Sequence, residues 1–250
     1  MEIFSGITIP FLGTALGAAC VFLMKRGLKN KIQGILAGFA AGIMLSASIW
    51  SLLIPAAEQA ESLGSPFIPA AIGLTAGFLL MLLLDKLLPQ DDEAENMGRT
   101  GMLMLALTLH NLPEGIAVGI VCAGFLTNTP GLTSAGVMAL IWGITIQNFP
   151  EGAIISLPLH GEGMSKWKSF LYGAASGIVE PIGTALAILA AEAVVPAMPY
   201  LLNFAAGAMI YVAVEELIPR MQSGTRGGKT GIICFAIGFT LMTVLDVALG

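Results

Sequence analysis

Charge is scarce in this chain: Asp, Glu, Lys and Arg make up 11% of its 250 residues, against roughly 25% in a soluble domain. With 56% hydrophobic residues, the sequence cannot cover a globule with polar side chains. Its 11 basic residues make no basic patch for nucleic acid. Cys20, Cys122 and Cys234 sit singly in apolar segments without Cys-x-x-Cys spacing, which argues against a redox or thiolate-metal site. The two histidines, His110 and His160, form no His-Glu-x-x-His pattern. Nothing resembles a P-loop, and no stretch reads as a linker between domains. The expectation is a single membrane domain over 1–250.

Long charge-free runs are present instead. Ile3 to Met24, Ile32 to Ala57 and Ser62 to Leu84 carry no charge, and each exceeds the roughly 20 residues a helix needs to cross a bilayer. The pattern predicts eight spans, at about 3–24, 32–57, 62–84, 100–125, 132–157, 169–194, 199–219 and 230–249, in an all-α polytopic membrane protein. Glu2 precedes the first run and Lys25, Arg26, Lys29 and Lys31 follow it, the reverse of a signal peptide's order, so it reads as a retained helix. Every basic residue lies in or beside the loops after spans one, three, five and seven. By the positive-inside rule those loops face the cytoplasm and both termini face outward. The polar stretch PQDDEAENMGRT, 89–100, reads as a solvated connector. Glycines recur in GTALGAA, GILAGFAAG and GAASG, a spacing that lets helices approach closely and allows a homodimer.

Two spans carry polar residues that hydrocarbon would reject. LTLHNLPEGIAVG, 107–119, is answered by TIQNFPEGAII, 145–155. In a helix, His110, Asn111 and Glu114 share one face, and Gln147, Asn148 and Glu151 repeat the arrangement. Pro113 and Pro150 each remove a backbone N–H beside the glutamate, freeing a carbonyl. GIVEPIG, 177–183, adds Glu180 in a third span. Ionisable groups at such depth face the bundle interior and need partners. No lysine or arginine lies within a predicted span. A divalent cation meets the need: imidazole and carboxylate suit Zn²⁺, and the added amide oxygens open the site to Fe²⁺, Mn²⁺ or Cd²⁺. One site, or two sharing Glu114 and Glu151, would result.

HNLPEG and QNFPEG resemble the signature pair of the Zrt/Irt-like (ZIP) family of divalent metal transporters, and the likeness covers the whole chain. GIMLSASIWSLLIPAAE, 42–58, the QN form of the second motif and GIVEPIG are similar to the bacterial GufA-like branch. The resemblance implies a ZIP-type helix bundle in the cell membrane and a mid-membrane binuclear site. His110, Glu114 and Glu151 would hold one metal, and Asn111, Glu114, Gln147, Asn148, Glu151 and Glu180 the second. Many relatives have aspartate where this chain has Asn148, which leaves one fewer negative charge at the second position. Glu215 and Glu216 in VEELIP would line an exit. The function implied is passage of divalent cations, zinc first, into the cytoplasm without ATP. Two other readings stand beside it: an intramembrane metalloenzyme, and a proton-coupled carrier of an organic solute. Asp85 beside Lys86 reads as an interfacial ion pair, and Glu58 with Glu61 as an outer loop.

Overall fold

The computed structural model describes residues 2–23, 30–61, 64–65, 67–87, 91–222 and 229–249. Lys25, Arg26, Lys29 and Arg226, four of the expected cytoplasmic charges, lie outside them. Among the described residues there is no strand. Twelve α-helices follow in order: α1 (Glu2–Leu23), α2 (Asn30–Ala47), α3 (Ile54–Glu61), α4 (Phe67–Leu87), α5 (Asp91–Leu126) and α6 (Ser134–Gly161), then α7 (Lys166–Ser176), α8 (Val179–Leu189), α9 (Ala191–Val194), α10 (Met198–Val212), α11 (Ile218–Gln222) and α12 (Lys229–Leu249).

Among the described residues, seven helical segments are long and apolar enough to cross a membrane. α6 is not among them: its 28 residues would reach about 42 Å, but Gln147, Asn148 and Glu151 lower its hydropathy. The expected spans otherwise correspond to helical segments, with three differences in detail. First, 91–100 is not a connector, since the helix that carries the first motif already begins at Asp91. Glu, Ala and Met in that stretch are strong helix formers, and propensity outweighs polarity there.

Second, the sixth span breaks between α7 and α8. Pro181 has no N–H to offer the Gly177 carbonyl, and the Glu180 N–H takes that carbonyl at 3.1 Å instead, tightening the chain into a turn. Third, two spans widen into π-helical turns, Ser48–Leu53 between α2 and α3, and Ala213–Leu217 between α10 and α11. Each precedes an Ile-Pro pair, Ile54-Pro55 or Ile218-Pro219, and each isoleucine N–H bonds the carbonyl five residues back, Ile49 or Ala213. π turns recur at functional sites.

The core is made of small and flexible side chains, Ala37, Ala40, Ala41 and Met44 on α2 against Ala205, Ala206 and Met209 on α10, with Ala117, Val118 and Val121 on α5. Without an aqueous driving force, such helices hold by close contact. α1 packs along α6 because glycines face backbone: a Cβ on Gly17 would strike the Phe149 carbonyl, and one on Gly152 the Thr14 carbonyl. The apolar surface is turned outward on the periphery. Only 11% of the α12 window is buried, against 67% of Thr108–Leu126 in α5, so α5 is interior and α12 faces the surroundings.

Candidate metal centre

α5 and α6 bring the two motifs face to face. The Gln147 side-chain N–H₂ donates to Glu114 Oε1 at 2.6 Å, and both residues are fully buried. Asn148, one position on, points to another side of α6 and donates to Glu180 Oε2 at 2.6 Å and to the Pro10 carbonyl at 3.3 Å. Asn111 donates to the Ser176 carbonyl at 3.1 Å, on the last turn before the break between α7 and α8. Asn111, Glu114, Gln147, Asn148, Glu151 and Glu180 are all buried. The carboxylates lie within electrostatic range of one another, Glu114 with both Glu151 and Glu180.

The amide orientations follow from simple chemistry. A carboxylate only accepts hydrogen bonds, so the amide nitrogen must face it and the amide oxygen must turn away. Gln147 Oε1 and Asn148 Oδ1 are accordingly buried without a partner, as are Glu114 Oε2 and Glu151 Oε1. All four are acceptors. Leaving each one desolvated and unpaired costs roughly 1–3 kcal/mol.

His110 stands at the edge of this group with 11% of its side chain exposed. Its Nδ1 lies 3.2 Å from Glu216 Oε2, which is also 3.2 Å from an Arg220 guanidinium nitrogen. Glu151 is within electrostatic range of the same Glu216 and Arg220. Arg220 sits inside the helical segment Met198–Gln222, one residue beyond the span expected at 199–219, so one basic side chain does reach the border of the site. Glu215, its neighbour, is exposed. Among the described residues, no three His, Cys, Asp or Glu side chains gather as a metal-binding group. Carboxylates repel one another, and two of the three take N–H or O–H neighbours: Gln147 at Glu114, Asn148 and Thr14 at Glu180.

Three participants went unread in the sequence. Thr14 of α1, fully buried, donates from Oγ1 to Glu180 Oε1 at 3.0 Å. It sits between Gly13 and Gly17, but Ser5 and Thr8 of the same helix carry hydroxyls too, so nothing local singles it out. Asp246 of α12 accepts from Ser51 Oγ at 2.6 Å. Together with Glu58 and Thr133 they line a 260 Å³ cavity. A single carboxylate in the last apolar run was the available signal. Arg220 is the third. The expected Asp85–Lys86 pair does not form; residues adjacent in a helix diverge, and Asp85 accepts from Tyr211 Oη at 3.4 Å.

The family description that matches residues 86–246 is ZIP Zinc transporter. Zinc transporter ZIP11 of Xenopus tropicalis is 36% identical over 95% of this chain and 94% of its own length. Zinc transporter ZIPB of Bordetella bronchiseptica is 38% identical, covering 96% of this chain and 79% of that protein. Zinc transporter GufA of Myxococcus xanthus is 34% identical, covering 95% and 96%. Motifs, helical architecture and these likenesses agree, and the chain belongs to the ZIP zinc transporter family.

Proposed function

We propose that the chain carries Zn²⁺ across the membrane into the cytoplasm, through a site at the crossing of α5 and α6. The observation that carries this reading is the set of four buried, partnerless oxygens on Glu114, Gln147, Asn148 and Glu151. An apolar solute would leave such acceptors unsatisfied, whereas a divalent cation satisfies the carboxylate and amide oxygens that turn toward it. Mixed carboxylate and amide oxygens, with the His110 imidazole alongside, suit Zn²⁺ and also admit Fe²⁺, Mn²⁺ or Cd²⁺. Such ligands strip water from an ion yet release it, as a closed thiolate cage does not. Asn111 and Glu180 flank the site.

Eight spans in a cell-membrane bilayer, with both termini outside, complete the proposal. The two ends of the bundle differ in charge in support of it. Glu2, which accepts from Ser134 at 2.7 Å, shares its end with Glu58 and Asp246, while Lys166, donating to the Phe22 carbonyl at 3.0 Å, marks the basic end. On this reading the 260 Å³ cavity lies on the outer side and Glu216 on the inner side. The glycines that suggested a homodimer are used within the chain: Gly17 against Phe149, Gly42 against Phe235 and Gly177 against Thr14. A homodimer would therefore use other surfaces.

Reconstitution into proteoliposomes tests the reading. Zinc accumulation down its gradient, with no cleavage of added peptides and no ATP, is the expected result. Peptide cleavage without zinc uptake would return the protein to the metalloenzyme class.

A further inference from the structure

Glu180 differs from the other buried carboxylates of the site. Both of its oxygens are taken, Oε1 by the Thr14 hydroxyl at 3.0 Å and Oε2 by the Asn148 amide at 2.6 Å. Glu114 and Glu151 each keep an oxygen without a partner. The donors come from two other helices, Thr14 from α1 and Asn148 from α6, and all three side chains are at most 1% exposed. Space around the group is closed. A Cβ on Gly177 would come within 2.9 Å of Thr14 Oγ1, and one on Gly115 within 2.6 Å of the Glu180 Cα. Thr184 Oγ1 donates to the Gly115 carbonyl at 2.9 Å, fixing the start of α8 against α5.

Resting on the proposed α5–α6 cation site, we propose that Glu180 is a positioning residue rather than a cation ligand. Held by Thr14, it fixes the Asn148 amide so that Oδ1 faces the ion, and the chain binds one cation. The Asn148 side chain is decisive. An aspartate there would present no N–H, and two carboxylates would face each other across α6 and α8, an arrangement relieved by a cation or a shared proton. The amide converts that repulsion into a hydrogen bond. Each Glu180 oxygen already accepts a hydrogen bond, which lowers its value to a cation, and on this proposal the interaction reaches the ion through Asn148, as supporting shells do around metal ligands.

The test combines cadmium calorimetry with thermal melting of the purified, detergent-solubilised full chain. The unaltered protein is expected to bind one Cd²⁺ per chain. Glu180→Gln should still bind one, about tenfold more weakly. Thr14→Val should lower both cadmium affinity and the melting temperature of the metal-free protein, and Thr14→Ser, which restores the hydroxyl, should recover both. Two ions in the unaltered protein with one lost in Glu180→Gln would make Glu180 a ligand and overturn the proposal. So would a Thr14→Val protein that melts and binds as the unaltered one does. If cadmium binding survived Glu151→Ala, the α5–α6 site itself would be wrong. The metal-free melting of the Thr14 variants would still decide whether Glu180 is held as described.

Discussion

Glu114 and Glu180 are buried to the same degree, at 0% and 1% exposure, yet they sit in opposite chemical situations. Around Glu114 the acceptors outnumber the donors, and Glu114, Gln147 and Glu151 each keep an oxygen without a partner. Where α1 and α6 meet α8, a hydroxyl and an amide match both oxygens of one carboxylate. Burial and residue type are the same in both places. The balance of donors and acceptors separates a place that invites a cation from one that closes on itself.

The strongest way to break this contrast is Glu151→Ala. Glu151 is 5% exposed, with one oxygen unpaired, so its removal should bring zinc uptake to background and abolish cadmium binding while the protein stays folded. Loss of the folded protein with or without metal would make Glu151 architectural. Asn148→Asp sharpens the contrast from the other side. It replaces the donor to Glu180 with a second carboxylate, so the number of Cd²⁺ ions bound per chain should rise from one to two by calorimetry. No change in that number would show that the amide does not control Glu180.

Much of this was legible before any coordinates. Long charge-free runs announce helices whose backbone must satisfy itself, and the repeated motif at helical spacing placed Glu114 and Gln147 on facing surfaces. What stayed hidden depends on contacts between helices distant in sequence. Thr14 lies 166 residues from Glu180, and nothing local marks it as a donor. Ser51 and Asp246 lie 195 residues apart. Gln147 meets Glu114 as the facing motifs suggest, but the sequence could not say that Glu180 and Asn148 would bond each other, since amide orientation follows the nearest carboxylate. The break after Gly177 was readable in principle, from Pro181 and the carbonyl it leaves without a donor. The π turns were not, because Pro55 and Pro219 are compatible with a kink of any kind.

A smaller effect concerns the packing that holds both regions. A Gly17→Val side chain would be driven into the Phe149 carbonyl across the α1–α6 contact, and overpacking of that kind costs about 1–3 kcal/mol. Melting of the metal-free protein should fall accordingly, whereas Gly64, with no atom within 4 Å of an added Cβ, should show only the cost of its positive φ of 74° when changed to alanine. Equal losses at the two positions would remove close α1–α6 approach as the reason for the glycine. Smallest is the response to pH. Ligands must be deprotonated to coordinate, so cadmium binding should release protons, and affinity should fall as pH falls. Titration in buffers of different ionisation enthalpy counts the protons, and a count of zero with affinity flat in pH would contradict cation binding by these side chains.

The most direct measurement is anomalous scattering from crystals soaked in cadmium. One peak is predicted, within coordination distance of Glu114 Oε2, Gln147 Oε1, Asn148 Oδ1 and Glu151 Oε1, the four oxygens without partners, with Glu180 still bonded to Thr14 and Asn148. A peak ligated by Glu180, or none between α5 and α6, would contradict the account.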